Sequence, residues 1–232
     1  MKIVTWNCNG AFRNKYQLLE EMQADILVIQ ECEDPSRSTL KYQEWAGEYL
    51  WKGENKNKGV GVFSRGGCTL EALNWIDDGL QLFLPCRIGN KFNLLGVWTK
   101  HANSPNFRYI GQLWKYIQLH RSRLADDKLV LCGDLNSNKQ WDEWDRWWNH
   151  SDVVRELEEI NIYSLYHRHT GEAQGKESSP TLFMHRKIEK PYHIDYAFLS
   201  ASMINQNSIE VGKPEKWLEY SDHMPVIFSV SS

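Results

Sequence analysis

Leu129-Val130-Leu131-Cys132-Gly133-Asp134-Leu135-Asn136 passes from four apolar residues straight into a glycine and two polar side chains. A short, uncharged apolar run bounded by a turn signal reads as a buried strand. Gly133 permits a sharp exit from it, and Asp134 and Asn136, two apart on extended backbone, project to the same side. Two such groups at a strand's end can orient a water molecule and accept its proton. As a bare sequence they serve equally well as a decorated turn.

Other apolar runs end in the same manner. Residues 2–6 form a short buried strand ending at Asn7, and Cys8-Asn9-Gly10 follows with a strong turn signal. Ile26-Leu27-Val28-Ile29 ends at Gln30-Glu31, where a sheet would fix the direction of a carboxylate suited to a hard metal ion. Residues 193–199 carry Asp195 between Ile194 and Tyr196, and a charge inside so apolar a strand is costly unless paired. His223, in Ser221-Asp222-His223-Met224-Pro225 ahead of a last strand at 226–230, is its natural partner. An aspartate behind an imidazole fixes the tautomer and stabilises the protonated form.

Between these runs, residues 13–22, 110–124 and 140–160 are expected to be helical, and further strands are expected at 60–64, 69–75, 80–88, 92–98, 163–167 and 181–184. Residues 170–180, rich in Gly, Ser and charge, read as a loop. Two rounds of strands interleaved with helices predict an α/β fold of two packed sheets with helices outside, one domain over 1–232.

At 41% hydrophobic and 25% charged residues the composition is that of a soluble globular protein. The net charge of −3 leaves a nucleic-acid partner open, because a mildly acidic chain can still present a basic face. The five cysteines lack zinc-ligand spacing, and Cys8, Cys32 and Cys132 fall in or beside buried strands, so reduced thiols and a cytoplasmic location are expected. No apolar leader and no membrane-length apolar stretch is visible, and no obligate protein partner is indicated.

Taken in order, Asn7, Gln30-Glu31, Gly133-Asp134-Leu135-Asn136, His193-Ile194-Asp195-Tyr196 and Ser221-Asp222-His223 resemble the motif set of the endonuclease/exonuclease/phosphatase superfamily, over nearly the whole chain. That superfamily includes exonuclease III-type repair nucleases and pancreatic-type deoxyribonuclease. The resemblance implies a four-layer α/β sandwich of two packed mixed β-sheets flanked by helices. It implies that Glu31 holds Mg²⁺ with Asn7 nearby, that Asp134 orients or deprotonates the attacking water, and that Asn136 positions it. Asp195 would pair with His223, which would bind the scissile phosphate, and Asp222 would sit beside the metal or back the same network. His101 stands where many members place a histidine and the abasic-site repair branch a tyrosine; it would contact phosphate or protonate the leaving oxygen. Asn9 stands where some branches carry aspartate, which leaves one metal or two open. Oxygen ligands without a Cys/His cluster favour Mg²⁺ or Mn²⁺ over Zn²⁺.

The expected activity is metal-assisted, in-line hydrolysis of phosphodiesters, with DNA as the leading substrate. RNA, a small phosphate ester or a lipid headgroup is the alternative, and an inactive binding protein on the same scaffold the third reading. Basic residues at Lys52, Lys56 and Lys58, and at Arg186, Lys187 and Lys190, could track a nucleic-acid backbone. Trp141, Trp144 and Trp148 share helical spacing and are expected to pack, whereas Trp147 points off that stripe as the candidate for base stacking.

Overall fold

The computed structural model describes residues 1–101 and 106–231. Its strands, in chain order, are β1 (Lys2–Asn7), β2 (Ile26–Cys32), β3 (Tyr49–Asn55), β4 (Lys58–Ser64), β5 (Leu70–Ala72), β6 (Phe83–Ile88) and β7 (Phe92–Trp98). There follow β8 (Leu129–Asp134), β9 (Ile162–Ser164), β10 (Leu182–Phe183), β11 (Pro191–Tyr192), β12 (Asp195–Ser200), β13 (Ile209–Val211) and β14 (Val226–Ser229). The α-helices are α1 (Leu40–Ala46), α2 (Ile110–Leu124), α3 (His150–Glu158), α4 (Leu165–Thr170) and α5 (Pro214–Trp217).

Two six-stranded sheets result, ordered β13-β14-β1-β2-β4-β3 and β5-β6-β7-β8-β12-β9, with β10-β11 as a separate hairpin. Both are mixed: β1 runs parallel to β2 and β7 parallel to β8, while the other pairs are antiparallel. The period-two alternation of each central strand explains why its apolar run is unbroken, since both faces are covered. Ile3, Ile26, Val28 and Val62 face Leu94, Val130, Cys132 and Ala197 between the sheets. Their neighbours Val4, Leu27, Ile29 and Phe63 turn outward to Phe12, Tyr16, Tyr42 and Trp217. On the far side Leu95, Val97, Leu129 and Leu131 meet Leu113, Ile117, Val153 and Leu157 of α2 and α3. Helices, sheet, sheet, helices: the expected four layers are present.

The sheets approach closely at their centre. A Cβ on Gly96 would lie 3.2 Å from Val28 and 3.3 Å from Val60 across the gap. Gly133 is tighter still: its φ is +143°, and a Cβ there would stand 1.9 Å from the Val97 carbonyl oxygen. Glycine alone fits this exit from β8.

Several segments differ from their sequence expectations. Residues 13–22 are not an α-helix but two 3₁₀ turns, Phe12–Asn14 and Tyr16–Met22, broken at Lys15 (φ −127°), because Phe12, Tyr16 and Leu19 are drawn onto the aromatic cluster around Tyr42 and Trp45. Residues 140–160 are helical only as a 3₁₀ turn at Lys139–Trp141 and then α3, which starts afresh at an Asn149/Asp152 capping box. The supposed Trp141/Trp144/Trp148 packing stripe therefore has no helix to define it; Trp144 is 96% exposed and only Trp148 of the three packs against a core. The strand expected at 163–167 ends at Ser164 and gives way to α4. All five cysteines are free, and Cys8, Cys32 and Cys132 are buried. Among the described residues no helix is long and apolar enough to cross a membrane.

Gly133→Ala is expected to lose more than about 4 kcal/mol of stability, since backbone, not a flexible side chain, blocks the new methyl group. Urea unfolding followed by circular dichroism checks this; a variant within about 1 kcal/mol of the parent would refute the packing account.

Candidate active site

The carboxyl ends of β1, β2 and β8 open on the same side of the sandwich, and β12 and the segment before β14 begin there. In the antiparallel register of β8 and β12, Asp134 and Asp195 are direct cross-strand partners. Two like charges side by side in a buried sheet are unfavourable without a cation between them. His223 supplies it: its Nδ1 lies 2.9 Å from Asp195 Oδ2, and ligand atoms of all three residues lie within 4.8 Å of one another. Burial works against the His223 imidazolium, but the charges of Asp195 and Asp134, the Asp195 hydrogen bond and the nearby Asp222 outweigh it and lift its pKa to about 10. Burial also raises the Asp134 carboxyl to about 7, with the His223 charge pulling the other way. These three spacings would also suit a metal ion, yet the imidazolium already balances the carboxylates, so the cluster is better described as an ion pair with a second carboxylate beside it.

Asp134 is wrapped by donors. Its Oδ1 accepts the Asn136 N–H at 2.7 Å, and its Oδ2 accepts the side-chain amides of Asn136 and Asn7, each at 2.8 Å. Asn136 bends back in the left-handed region at φ 44°, which asparagine tolerates, and its amide also reaches the Thr99 carbonyl at 3.0 Å. Asn7 turns its amide nitrogen to Asp134 and, at 3.3 Å, to Glu31, while its oxygen accepts the Asn9 N–H at 3.0 Å. It thus stands as a bridge between the two carboxylates.

Glu31 occupies a β-bulge: register slips between Gln30 and Cys32, and Glu31 takes φ 61°. The bulge re-aims its side chain out of the ladder and into the cleft. There Glu31 is paired with Lys58 of β4, whose side chain is 52% exposed. A carboxylate paired with an exposed ammonium can exchange it for a divalent cation, and an oxygen donor suits a hard ion. The residues present therefore fit a Mg²⁺-type ion at Glu31. Asp222 accepts the Asn9 side-chain amide on its Oδ1 at 2.9 Å and acts on the network through the His223 charge.

Residues outside the expected set hold this arrangement together. Ser221 Oγ donates to the Asn7 carbonyl (2.8 Å) and accepts the His223 N–H (3.0 Å), and Trp6 Nε1 donates to the His223 carbonyl (2.9 Å). Half-buried Lys15 clamps the carbonyls of Cys8 (2.6 Å) and Tyr220 (2.7 Å). Thr181 Oγ1 accepts both the Ile194 and Asp195 N–H groups, at 2.9 and 3.0 Å. Asn138 links the Asp134 turn to β12 by donating to the His193 carbonyl (2.9 Å), and it also reaches Glu177 at 3.1 Å.

Further out, His101 lines a cleft of about 430 Å³ with Glu31, Thr99, Tyr109 and Asn136. Trp147 lines a second, of about 850 Å³, which shares Tyr109 and Asn136 with the first. Arg186 is exposed but its guanidinium donates to the carbonyls of Glu219 and Tyr220, so it anchors the segment before His223; Lys187 is exposed in the β10–β11 turn. Lys52 lies apart, paired with Asp77 at 3.3 Å.

With this geometry the sequence matches the Endonuclease/Exonuclease/phosphatase family over residues 4–223. The chain belongs to that family and is a hydrolase acting on phosphate esters. Among solved structures it is similar to a 3′-5′ exonuclease from Neisseria meningitidis (TM-score 0.75, 22% identity, 100% of both chains covered). It is similar also to a Neisseria 3′ phosphatase bound to a product DNA hairpin (TM-score 0.74, 21% identity, 100% of both chains). An AP endonuclease from Archaeoglobus fulgidus gives a TM-score of 0.71 at 19% identity, again over 100% of both chains. At such identities the likeness is one of fold. No curated protein matches the sequence.

The Asn138 link also carries a pH signature. Burial works against the Glu177 carboxylate, yet hydrogen bonds from His167, the Gly175 N–H and Asn138 outweigh it and hold its pKa at about 2, below the ordinary 4.5. A depressed acid stabilises the fold fully above its unfolded pKa and ceases to do so as the pH falls through the folded value. Glu177→Gln is accordingly expected to melt earlier than the parent at neutral pH, with the two melting curves converging between pH 4.5 and about 2. A gap of constant size across that window would overturn the assignment.

Proposed function

We propose that this chain is a Mg²⁺-dependent DNA nuclease, working as one domain and hydrolysing phosphodiesters by in-line attack of water. The observation that carries the reading is the buried Asp134–Asp195–His223 cluster opening beside Glu31. Phosphodiesters resist attack because their oxygens are negative, so an effective site must present positive charge to the phosphate and a base to water. The His223 imidazolium, held in direction by Asp195, would donate to a phosphate oxygen. Asp134, its oxygens fixed by Asn136 and Asn7, would orient the water and accept its proton, with Asn136 holding the same water. Glu31 would hold the metal, Mg²⁺ or in its place Mn²⁺, which when bound supplies neutralisation of phosphate charge. Asp222 would back the network through Asn9, and His101, on the wall shared with Glu31, would protonate the leaving oxygen or contact phosphate. Asn9, Lys187 and Trp147 would meet substrate directly, whereas Arg186 would hold the segment that carries His223.

DNA is favoured because a similar Neisseria structure holds a product DNA hairpin and an Archaeoglobus fulgidus relative is titled an AP endonuclease. The free buried cysteines support a reducing, cytoplasmic compartment.

Labelled DNA incubated with Mg²⁺ or with EDTA tests the reading, and EDTA is expected to abolish cleavage. Asp134→Asn and His223→Ala should each lower kcat by roughly two to four decades while the proteins still unfold cooperatively. Retention of most of the activity by either variant would sink the assignment. Glu31→Gln is expected to raise the Mg²⁺ concentration for half-maximal activity by roughly tenfold or more; an unchanged titration would remove Glu31 from the metal site.

A further inference from the structure

We propose that the larger cleft beside Asn136 is a stacking subsite for one unpaired nucleobase of the strand being cut, so that single-stranded or frayed DNA is the preferred substrate. This rests on the nuclease reading and specifies its substrate. The cleft, about 850 Å³, is walled by Phe107, Tyr109, Trp141, Arg146, Trp147 and Trp148, with Asn136 in its lining. Because Asn136 also hydrogen-bonds Asp134, a base lodged there belongs to a nucleotide next to the bond under attack.

The cleft's rings are unusually exposed for their size: Trp147 is 64% exposed, Tyr109 40% and Trp141 38%. Tryptophan is on average a well-buried residue, and leaving such area in water forgoes burial energy. Yet the loop that carries Trp141 and Trp147 is held firmly. Asn149, at the start of α3, accepts the Glu143 N–H at 2.9 Å and donates to the carbonyls of Glu143 (2.9 Å) and Arg146 (3.0 Å). Asp142 accepts the His150 and Ser151 N–H groups, at 2.9 and 3.3 Å. Trp148 seats against Gly111, where a Cβ would lie 2.9 Å from its ring, and against Phe107 at 5.2 Å between centroids. Trp141 leans on Tyr192 at 5.0 Å, and Trp147 stands edge-on to Phe107 at 6.5 Å.

Rings fixed in place before binding lose little entropy when a partner arrives. Every base offers a π-face, so such a surface binds without regard to sequence. A base within a duplex is already stacked on its neighbours and paired, which leaves an unpaired base as the occupant. Arg146, 4.9 Å over Trp148 and paired with Glu143 at 3.6 Å, braces the wall of the cleft.

The test uses a short oligothymidylate, a strand of equal length without bases, and a blunt duplex. Trp147→Ala is compared with the parent and with Trp144→Ala, whose ring is exposed outside the cleft. With Mg²⁺, the ratio of single-strand to duplex cleavage is expected to fall roughly tenfold in Trp147→Ala, the order of one lost base stack, and to stay unchanged in Trp144→Ala. In EDTA, oligothymidylate should quench tryptophan fluorescence of the parent, the baseless strand should not, and Trp147→Ala should lose that quench. An unchanged cleavage ratio, or equal quenching by the baseless strand, overturns the subsite even if cleavage itself is robust. Base-dependent quenching without cleavage of any strand would keep the subsite and overturn the nuclease reading.

Discussion

Everything at the centre of this molecule depends on how closely β7 and β8 are joined at Gly133. The Val97 carbonyl fills the space where a side chain would begin, and the backbone takes a φ of +143° that only glycine accepts readily. One residue on, Asp134 meets Asp195 in register, and from that pairing the rest of the site follows. Two buried carboxylates side by side demand a cation, and the fold answers with His223 brought from the far sheet.

That cation arrives with its own scaffolding. The Ser221–His223 segment is tied to β1 by Ser221, Trp6 and Lys15, so the last strand of one sheet is fixed against the first before His223 reaches Asp195 in the other. The bond between sheets is therefore ionic at the Asp195–His223 end and apolar below it, where Val28, Val60 and Leu94 fill the gap. Buried polar networks of this kind are costly unless every member is satisfied. One atom departs from that rule among the three: Asp195 Oδ1 is buried with no hydrogen-bond partner among the described residues, at the place where substrate chemistry is proposed.

Backbone strain occurs at the same end, though not only there. Asn9, Glu31 and Asn136 all hold positive φ, at 52°, 61° and 44°. For Glu31 this is the β-bulge, which turns a ladder residue into a ligand-like one. Non-glycine residues in that region cost energy and persist where surrounding structure over-determines them, commonly at functional sites.

By itself the sequence determined the central strands, helix α2 and their order. The unbroken apolar runs at β1, β2 and β8, the helical stripe of α2 and the carboxylates at strand ends were all legible, because period and burial are local properties of a chain. Edge strand β3, half-exposed and polar, gave no such signal, and the tryptophan-rich stretch after Asn136 suggested a helix that the Asn149 capping box in fact begins later. Tertiary structure alone decided the pairings that make the site. Nothing in the spacing of Asp134 and Asp195 announces a shared register, nothing near Lys58 announces Glu31, and the clamps from Thr181, Ser221 and Lys15 act across long separations. Those contacts exist only once two sheets have closed on one core, and their energies come from burial and charge that no isolated segment possesses.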